Sequence, residues 1–497
     1  MKAIKNSLKE YASETSLTKW ETINWDAIES KVTALQVRIV KAYKAKQFRK
    51  VRSLQWTLTR SYAAKLLAVK RVTSNRGRRT PGVDGAVWMT DNSKMKAVQS
   101  LNRKSYRPLP LRRIYIPKAN GKQRPLSIPA MKDRAMQALY LLALDPIAET
   151  RADNNSYGFR PKRSCADAIQ QCYSALFDKR AAQWVLDADI AGCFDNISHE
   201  WLHENIPMDK RILRLWLKAK IIDGKSFFQS ENGTPQGGII SPVLANMVLD
   251  GLETVLNTIA RKRYSRDGVV KKNLHLVNYV RYADNFIVTA RSKDFLKEKI
   301  IPAIEEFLRC RGLSLSEEKT RIVNINEGFD FLGQHVRKYK GKLLIKPSKK
   351  NIKSFKEKVS AIISKNKTTS QAVLIKQLNP VIRGWTNYHR CVAASQTFNK
   401  IDHFIFYRLW SWARRRHSNK SASWVMKRYF HTVENFQWAL CCMKTPATLR
   451  RAQSTSIKRH IKVRGLANPY DPLWFTYFEQ RAITLRTPRG QLKQSTV

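Results

Sequence analysis

An α+β fold, divided into roughly two to four domains, follows from three features of the 497-residue sequence. Apolar residues recur at helical spacing near the start, β-rich runs alternate with turn formers in the middle, and a second helical and aromatic stretch spans 371–430. Hydrophobic residues make up 43% of the chain, enough to fill more than one core, so it is globular and not disordered.

Taken in order, Ile28, Val32, Leu35 and Ile39, then Val51, Leu54, Leu58, Leu66 and Leu67, keep a helical rhythm with Lys and Arg between them. Residues 1–75 therefore read as a basic helical N-terminal extension. The stretch 75–85 gathers turn formers with Arg76, Arg78 and Arg79, as suits a loop whose backbone can approach phosphate. Residues 111–129 alternate and then turn at Asn120-Gly121, the strongest hairpin signal in the chain, with Lys118, Lys122 and Arg124 on or beside it. A helix rich in Ala, Leu and Met is expected over 131–149. Mixed hairpins and helices continue to about residue 340, closing a second region, 76–340. A basic run opens a third region, 341–435, in which Ile401, Phe404, Ile405, Leu409 and Trp412 share one helical face and read as core. Cations stand between them, including Arg408 and the run Arg414, Arg415 and Arg416. The remainder, 436–497, carries clusters such as Lys458-Arg459-His460 and little regular pattern, and reads as a basic, DNA-binding-like C-terminal region. No internal repeat is visible.

Lys and Arg number 92 against 38 acids, a formal charge of +54, and such an excess calls for a polyanionic partner. Nucleic acid is the natural one, with aromatic side chains interleaved among the cations as potential stacking platforms. The seven Cys form no CxxC pair, which suits a reducing compartment and offers no structural zinc site. His389, His403 and His417 follow no metal-ligand spacing and read as core or RNA-facing residues. The first twenty residues mix Lys with Glu and lack an apolar core, and no run reaches the ~18 apolar residues of a membrane span. The expected location is the cytoplasm of a bacterium, an organellar origin being the alternative, with no membrane contact.

The chemistry is concentrated in two places. Strand periodicity over 184–190 puts Trp184, Leu186, Ala188 and Ile190 on one face and Val185, Asp187 and Asp189 on the other. The β-rich runs 277–282 and 286–290 meet at Ala283-Asp284, so Asp284 is expected at a hairpin tip. Ala-Asp is a poor primed turn, which suggests a residue placed for chemistry and not for turn stability. Acids presented from separate elements are what a pair of hard cations requires, and two such ions can drive in-line attack of a 3′-hydroxyl on an α-phosphate.

Eight segments in order carry a resemblance: Tyr-Ile-Pro-Lys from 115, Arg-Pro-Leu-Ser-Ile-Pro from 124, Ser-Tyr-Gly-Phe-Arg-Pro from 156, Asp-Ile-Ala-Gly-Cys-Phe-Asp-Asn-Ile from 189, Gly-Thr-Pro-Gln-Gly-Gly-Ile-Ile-Ser-Pro from 233, Tyr-Ala-Asp-Asn from 282, Gly-Leu-Ser-Leu-Ser-Glu-Glu-Lys-Thr from 312 and Phe-Leu-Gly from 331. The series resembles the reverse transcriptases encoded by bacterial and organellar group II introns. Residues 377–389, Arg383 among them, look like that family's maturase domain, and 462–471 resemble the link that in many relatives leads to an HNH nuclease. No Cys pairs or clustered His follow, so the nuclease is expected to be absent.

The resemblance implies a right-hand polymerase, with fingers and palm built on antiparallel sheet, followed by a helical thumb or maturase domain. It implies an RNA-directed DNA polymerase that copies RNA into DNA and helps its intron splice and move, using two Mg²⁺ ions, with Mn²⁺ able to substitute. Its partners would be intron RNA, an RNA template with a DNA primer, dNTPs and target DNA. By the family pattern Asp189 and Asp284 are the metal-ligand aspartates, with the Ile190 carbonyl a further ligand. Phe194 packs under the incoming sugar, Lys118 and Arg124 bind triphosphate, Gln236 and Gly237 line the nucleotide pocket, and Lys319 lies near the triphosphate. Arg76, Arg78, Arg79, Arg383, Arg408, Arg414, Arg415, Arg416, Lys458 and Arg459 are the expected nucleic-acid contacts. One departure stands out: Asn285 occupies a catalytic position where the family usually has a second aspartate. The alternative reading is therefore a non-catalytic, RNA-binding splicing cofactor with a vestigial polymerase site. A polymerase recruited to a cellular task such as defence or repair would use the same chemistry.

Overall fold

The computed structural model describes residues 20–486 apart from 118–120, 122, 225, 230–231, 235, 265–269, 434–435, 443–444 and 446. Lys118 and Lys122 thus lie outside the described residues. Helix and sheet are mixed throughout, as the α+β expectation requires.

Helices Trp25–Lys44, Phe48–Arg60 and Tyr62–Ser74 form the N-terminal region. The first is capped by Asn24, whose side chain accepts the Ala27 N–H at 3.0 Å. Val32, Ile39, Val51, Leu54, Leu58 and Leu66 are buried, and they meet Met136, Leu139, Leu144 and Ile147 of the long helix Met131–Arg151. That helix is buried along most of its length against these three helices, its polar residues Asp133, Arg134 and Glu149 included.

Strands β1 (Leu111–Pro117) and β2 (Gln123–Ile128) make the expected hairpin. After β3 (Trp184–Asp189), β4 (Lys220–Asp223) and β5 (Ser226–Gln229) make a second one, and β4 joins β1 in parallel to give the order β2-β1-β4-β5. A short ribbon of β6 (Arg263–Tyr264) and β7 (Val270–Lys272) precedes β8 (Asn278–Tyr282) and β9 (Asn285–Ala290). With β10 (Arg321–Asn324) these complete a central antiparallel sheet, β10-β3-β9-β8. Its two faces feed different cores. Leu186, Ala188 and Ile190 pack with the helices, whereas Val185 joins Val280 and Ile287 in a second cluster.

That second cluster continues through β11 (Phe329–Phe331), β12 (Gln334–Tyr339) and β13 (Lys342–Pro347) into helices Lys349–Lys365, Gln371–His389 and Ser395–Arg416. Ile401, Ile405, Leu409 and Trp412 are buried there and Phe404 packs against them, the face that the spacing predicted.

The C-terminal region departs from the expectation of little regular structure. A small sheet of β14 (Phe430–Val433), β15 (Phe436–Cys442) and β16 (Ala447–Thr448) is followed later by helix Phe475–Arg486. Between them the chain runs back over the earlier regions. Fully buried Asp167 accepts from His460 Nε2 at 2.9 Å, the Val463 N–H at 2.7 Å and Arg481 Nη2 at 2.7 Å. Tyr470 donates to Asp145 at 2.6 Å and Asn468 to Thr150 at 3.0 Å. Individual polar contacts and the isolated buried residues Ala452, Val463 and Ala467 hold this segment, so no apolar period in the sequence betrays it. Among the described residues no helix is long and apolar enough to cross a membrane.

Candidate active site

The central sheet brings the predicted acids together. β3 and β9 pair with Asp189 opposite Asn285, which sets Asp284, one residue earlier, beside the end of β3. The β8–β9 connection is only Ala283 and Asp284, and Ala283 has φ 58°, a left-handed conformation that costs a non-glycine residue about 1 kcal/mol or more. The turn is held in that shape from beneath. Gly158 approaches so closely that a Cβ there would stand 2.3 Å from the Ala283 nitrogen. Tyr157 N–H donates to the Arg281 carbonyl at 2.9 Å, and Arg281 N–H to the Asn155 carbonyl at 2.9 Å. The Arg281 side chain is fully buried: Nη2 donates to Asp250 at 2.5 Å and Nη1 to Asn246 at 3.1 Å, while Asn246 donates to the Gly158 carbonyl at 2.8 Å. Burial pushes the Asp250 carboxyl up and the Arg281 charge opposes it. A second buried pair, Arg160 with Glu149 at 2.8 Å, secures the same loop.

Burial also pushes the Asp189 carboxyl above the ordinary range, the Lys319 hydrogen bond at 2.8 Å draws it down, and the charge of Asp284 pushes it up again. The two acids therefore feel each other. Asn285 Nδ2 donates to Asp284 Oδ1 at 3.0 Å. Asp187, on the same strand face, is engaged by Arg321 at 3.1 Å and stays outside the pair. The segment after Gly312 grips the main chain here: Ser316 N–H donates to the Asp189 carbonyl at 2.8 Å, and Ile190 bridges to Leu315.

Gly192, with φ 51°, opens the short helix Cys193–Asn196 that carries Phe194. The Phe159 ring meets Phe194 edge-on at 6.3 Å, and Phe159 itself is 48% exposed with φ 58°. Gln236 Nε2 donates to Asp195 at 3.1 Å and its carbonyl accepts the Ser127 N–H at 2.7 Å. A Cβ on Gly237 would lie 2.7 Å from the Ser127 carbonyl oxygen, so this loop fits against the end of β2 only as glycine. Arg124 is exposed on β2, three residues or about 10 Å before Ser127.

The outlying cations divide. Arg76, Arg78 and Arg79 are exposed on a short turn that Arg134 anchors by donating to the Gly77 and Thr80 carbonyls at 3.2 and 2.7 Å. Arg383, Arg408, Arg414, Arg415 and Arg459 are exposed as well. Arg416 and Lys458 differ from these in being half-buried. Arg416 donates to the Lys367 and Thr369 carbonyls at 3.1 and 2.7 Å, and Lys458 to the Leu485 carbonyl at 3.0 Å, so both are engaged within the fold. His389 is core, lying between Gln334 at 3.1 Å and Asn351 at 2.9 Å. Sequence reasoning missed Phe159, whose only hint was its place in the Ser-Tyr-Gly-Phe-Arg-Pro segment. It also missed the Arg281–Asp250 pair, which has no local signal.

Comparison with known proteins defines the class first. The family described as reverse transcriptase (RNA-dependent DNA polymerase) matches residues 116–336, and the N-terminal domain of reverse transcriptase matches 20–101. Residues 352–430 match the group II intron maturase-specific domain. Protein YkfC of Escherichia coli K12 is 36% identical over 309 residues, covering 54% of this chain and 80% of YkfC. Group II intron-encoded protein LtrA of Lactococcus lactis is 28% identical over 429 residues, covering 68% of this chain and 70% of LtrA. The chain belongs to the group II intron-encoded reverse transcriptase and maturase family.

Proposed function

We propose that this protein is an RNA-directed DNA polymerase that also binds its intron RNA to assist splicing and mobility. In this reading the β2-β1-β4-β5 sheet is the fingers, the central sheet the palm and the helical region after β13 the thumb. The observation that carries it is the register of β3 with β9, which brings Asp189 and Asp284 together at one end of the two inner strands of the central sheet.

The donors suit Mg²⁺, a hard ion usually held by one or two carboxylates together with substrate phosphates and not by an all-protein cage. Asp189 and Asp284, with the Ile190 carbonyl, would hold the ions. When bound, a pair of Mg²⁺ ions would activate the attacking 3′-hydroxyl and stabilise the leaving oxygen. The chain's own groups do the positioning. Phe194 would lie under the sugar and exclude a 2′-hydroxyl, while Arg124 and Lys319 would face the triphosphate, whose developing charge they favour. Gln236, steadied by Asp195, would line the nucleotide pocket. The exposed arginines at 76, 78, 79, 383, 408, 414 and 415 would hold folded RNA through phosphate.

The test is extension of a DNA primer on an RNA template with Mg²⁺ and dNTPs. Wild type should extend, and Asp189→Ala and Asp284→Ala should reduce extension to background. Undiminished synthesis by either variant overturns the site. Binding of intron RNA without extension by wild type or Asn285→Asp would establish the splicing-cofactor alternative instead.

A further inference from the structure

A cleft remote from the acids remains unexplained by polymerase chemistry. It lies between helices Phe48–Arg60 and Tyr62–Ser74 on one side and helix Met131–Arg151 on the other, has a volume of about 480 Å³, and includes none of Asp189, Phe194, Gln236 or Asp284 in its lining. Behind it Leu101, Met136 and Leu139 are packed away at 1% exposure each, so the apolar surface open to a ligand is chiefly Trp56. The rim is cationic, with Arg52, Arg60, Lys65, Arg103 and Lys104 against one acid, Asp209. That acid is already engaged, pairing with Arg103 and accepting the Arg211 and Ile212 N–H groups at 3.0 and 3.2 Å. At the mouth, Trp56 keeps 52% of its surface in solvent, with the Arg60 guanidinium 3.6 Å from its ring centroid.

A cleft of this size suits a small ligand, and the rim demands an anionic one. The exposed indole adds a third requirement, a flat face. An unstacked base on an aromatic or guanidinium plane, with cations around its phosphate, answers all three. We propose that this cleft is a second nucleotide site, which takes one unpaired nucleotide with its base against the exposed Trp56 indole and its phosphate among Arg52, Lys65 and Lys104. Burial and the neighbouring Arg60 charge lower the Lys65 ammonium from its ordinary value, so an incoming phosphate would relieve a crowded cation. The ligand chemistry is a nucleoside phosphate, whether a splayed nucleotide of folded RNA or a free mononucleotide.

Two probes on the full-length protein separate those sources. Cells expressing it are fed 4-thiouridine and irradiated, and crosslinked peptides are mapped; separately, the purified protein is labelled with 8-azido-AMP. The expected result is a crosslinked nucleotide on the peptides bearing Trp56 or Lys65. It should be lost at least tenfold in Trp56→Ala and in Lys65→Gln, while primer extension on poly(rA)·oligo(dT) is unchanged. Crosslinking by RNA alone assigns a splayed nucleotide, and labelling at micromolar 8-azido-AMP that unlabelled AMP competes away assigns a free one. Labelling by neither probe, or only at millimolar 8-azido-AMP, overturns the proposal. The wild-type map decides this even if a variant fails to fold. Retained extension shows that loss of the cleft is not loss of the polymerase.

Discussion

The reverse transcriptase region and the maturase-specific region use charged residues in opposite ways. Under the Tyr282-Ala283-Asp284-Asn285 turn, each charge is buried and committed to a single partner geometry, Arg281 to Asp250 and Arg160 to Glu149. On helices Gln371–His389 and Ser395–Arg416, Arg383, Arg408, Arg414 and Arg415 stand exposed over an apolar core. The first arrangement fixes a geometry; the second creates a field. Substitutions in the first should therefore be nearly all-or-none, and those in the second graded and dependent on salt.

The sharpest contrast is expected at Arg281. Arg281→Met strips the buried Asp250 carboxyl of its cation, so the acid must take up a proton or stand unpaired in the interior, a loss of about 3 to 5 kcal/mol, read as a lowered midpoint in urea. Extension should fall with it, and pairing the change with Asp250→Asn should restore part of the stability. Gly158→Ala acts on geometry more than on stability. Its Cβ has no room beside the Ala283 nitrogen, so the turn must move. A shift of about 1 Å in a reacting group costs on the order of a hundredfold in rate. Normal extension by Gly158→Ala would show that the turn tolerates displacement and would erase the distinction between the two regions.

How much of this the sequence discloses follows from the range of each interaction. The acids were legible because strand alternation over 184–190 and a two-residue hairpin are local patterns, and the helical face from Ile401 to Trp412 was legible for the same reason. Parallel pairing of β1 with β4 was not, since residues more than a hundred positions apart carry no mutual period. Nor was the pairing of Arg281 with Asp250, an ordinary strand arginine and an ordinary helix-end aspartate until the fold joins them. The internal hydrogen bonds of Arg416 and Lys458 are hidden for the same reason. A cation's sequence context shows its charge but not whether a carbonyl has already claimed it.

The maturase-specific region does contain one residue of the buried kind. Burial pushes His389 down to about 4 from an ordinary 6.5. The unfolded chain then takes up its proton near pH 6.5 and the folded chain only near 4, so the unfolded state binds more protons in that window and stability falls as pH falls through it. At pH 5 the loss is about 2 kcal/mol from this group. Urea midpoints measured from pH 7 to 5 should drop in wild type and drop less in His389→Gln. An equal slope in both would mean the histidine titrates normally.

Arg383, Arg408, Arg414 and Arg415 should each behave as one phosphate contact. Replacement by Ala is expected to weaken intron RNA binding a few-fold and to lower the slope of log affinity against log salt by about 1. Anisotropy titrations across KCl concentrations measure both. Arg416→Ala is the internal control: it should lose stability and leave the slope alone, because its guanidinium holds the carbonyls of residues 367 and 369. A reduced slope for Arg416→Ala would move that residue to the exposed set.

The smallest effect is expected where the sequence looks most damaged. Asn285 is exposed, and its amide donates to Asp284, steadying one carboxylate oxygen without adding charge. An aspartate at this position cannot donate that bond and would crowd a third negative charge beside Asp189 and Asp284. A divalent ion would offset the crowding, since each added carboxylate favours a hard cation. Asn285→Asp should therefore extend primers as well as wild type or better, by less than about tenfold, and reach half-maximal rate at lower Mg²⁺. Without metal it should be slightly less stable than wild type, through like-charge repulsion alone. A fall in extension at saturating Mg²⁺ would show that the amide's hydrogen bond to Asp284 is itself part of the working site, and that this turn, like the Arg281 pair beneath it, depends on a fixed partner and not on charge.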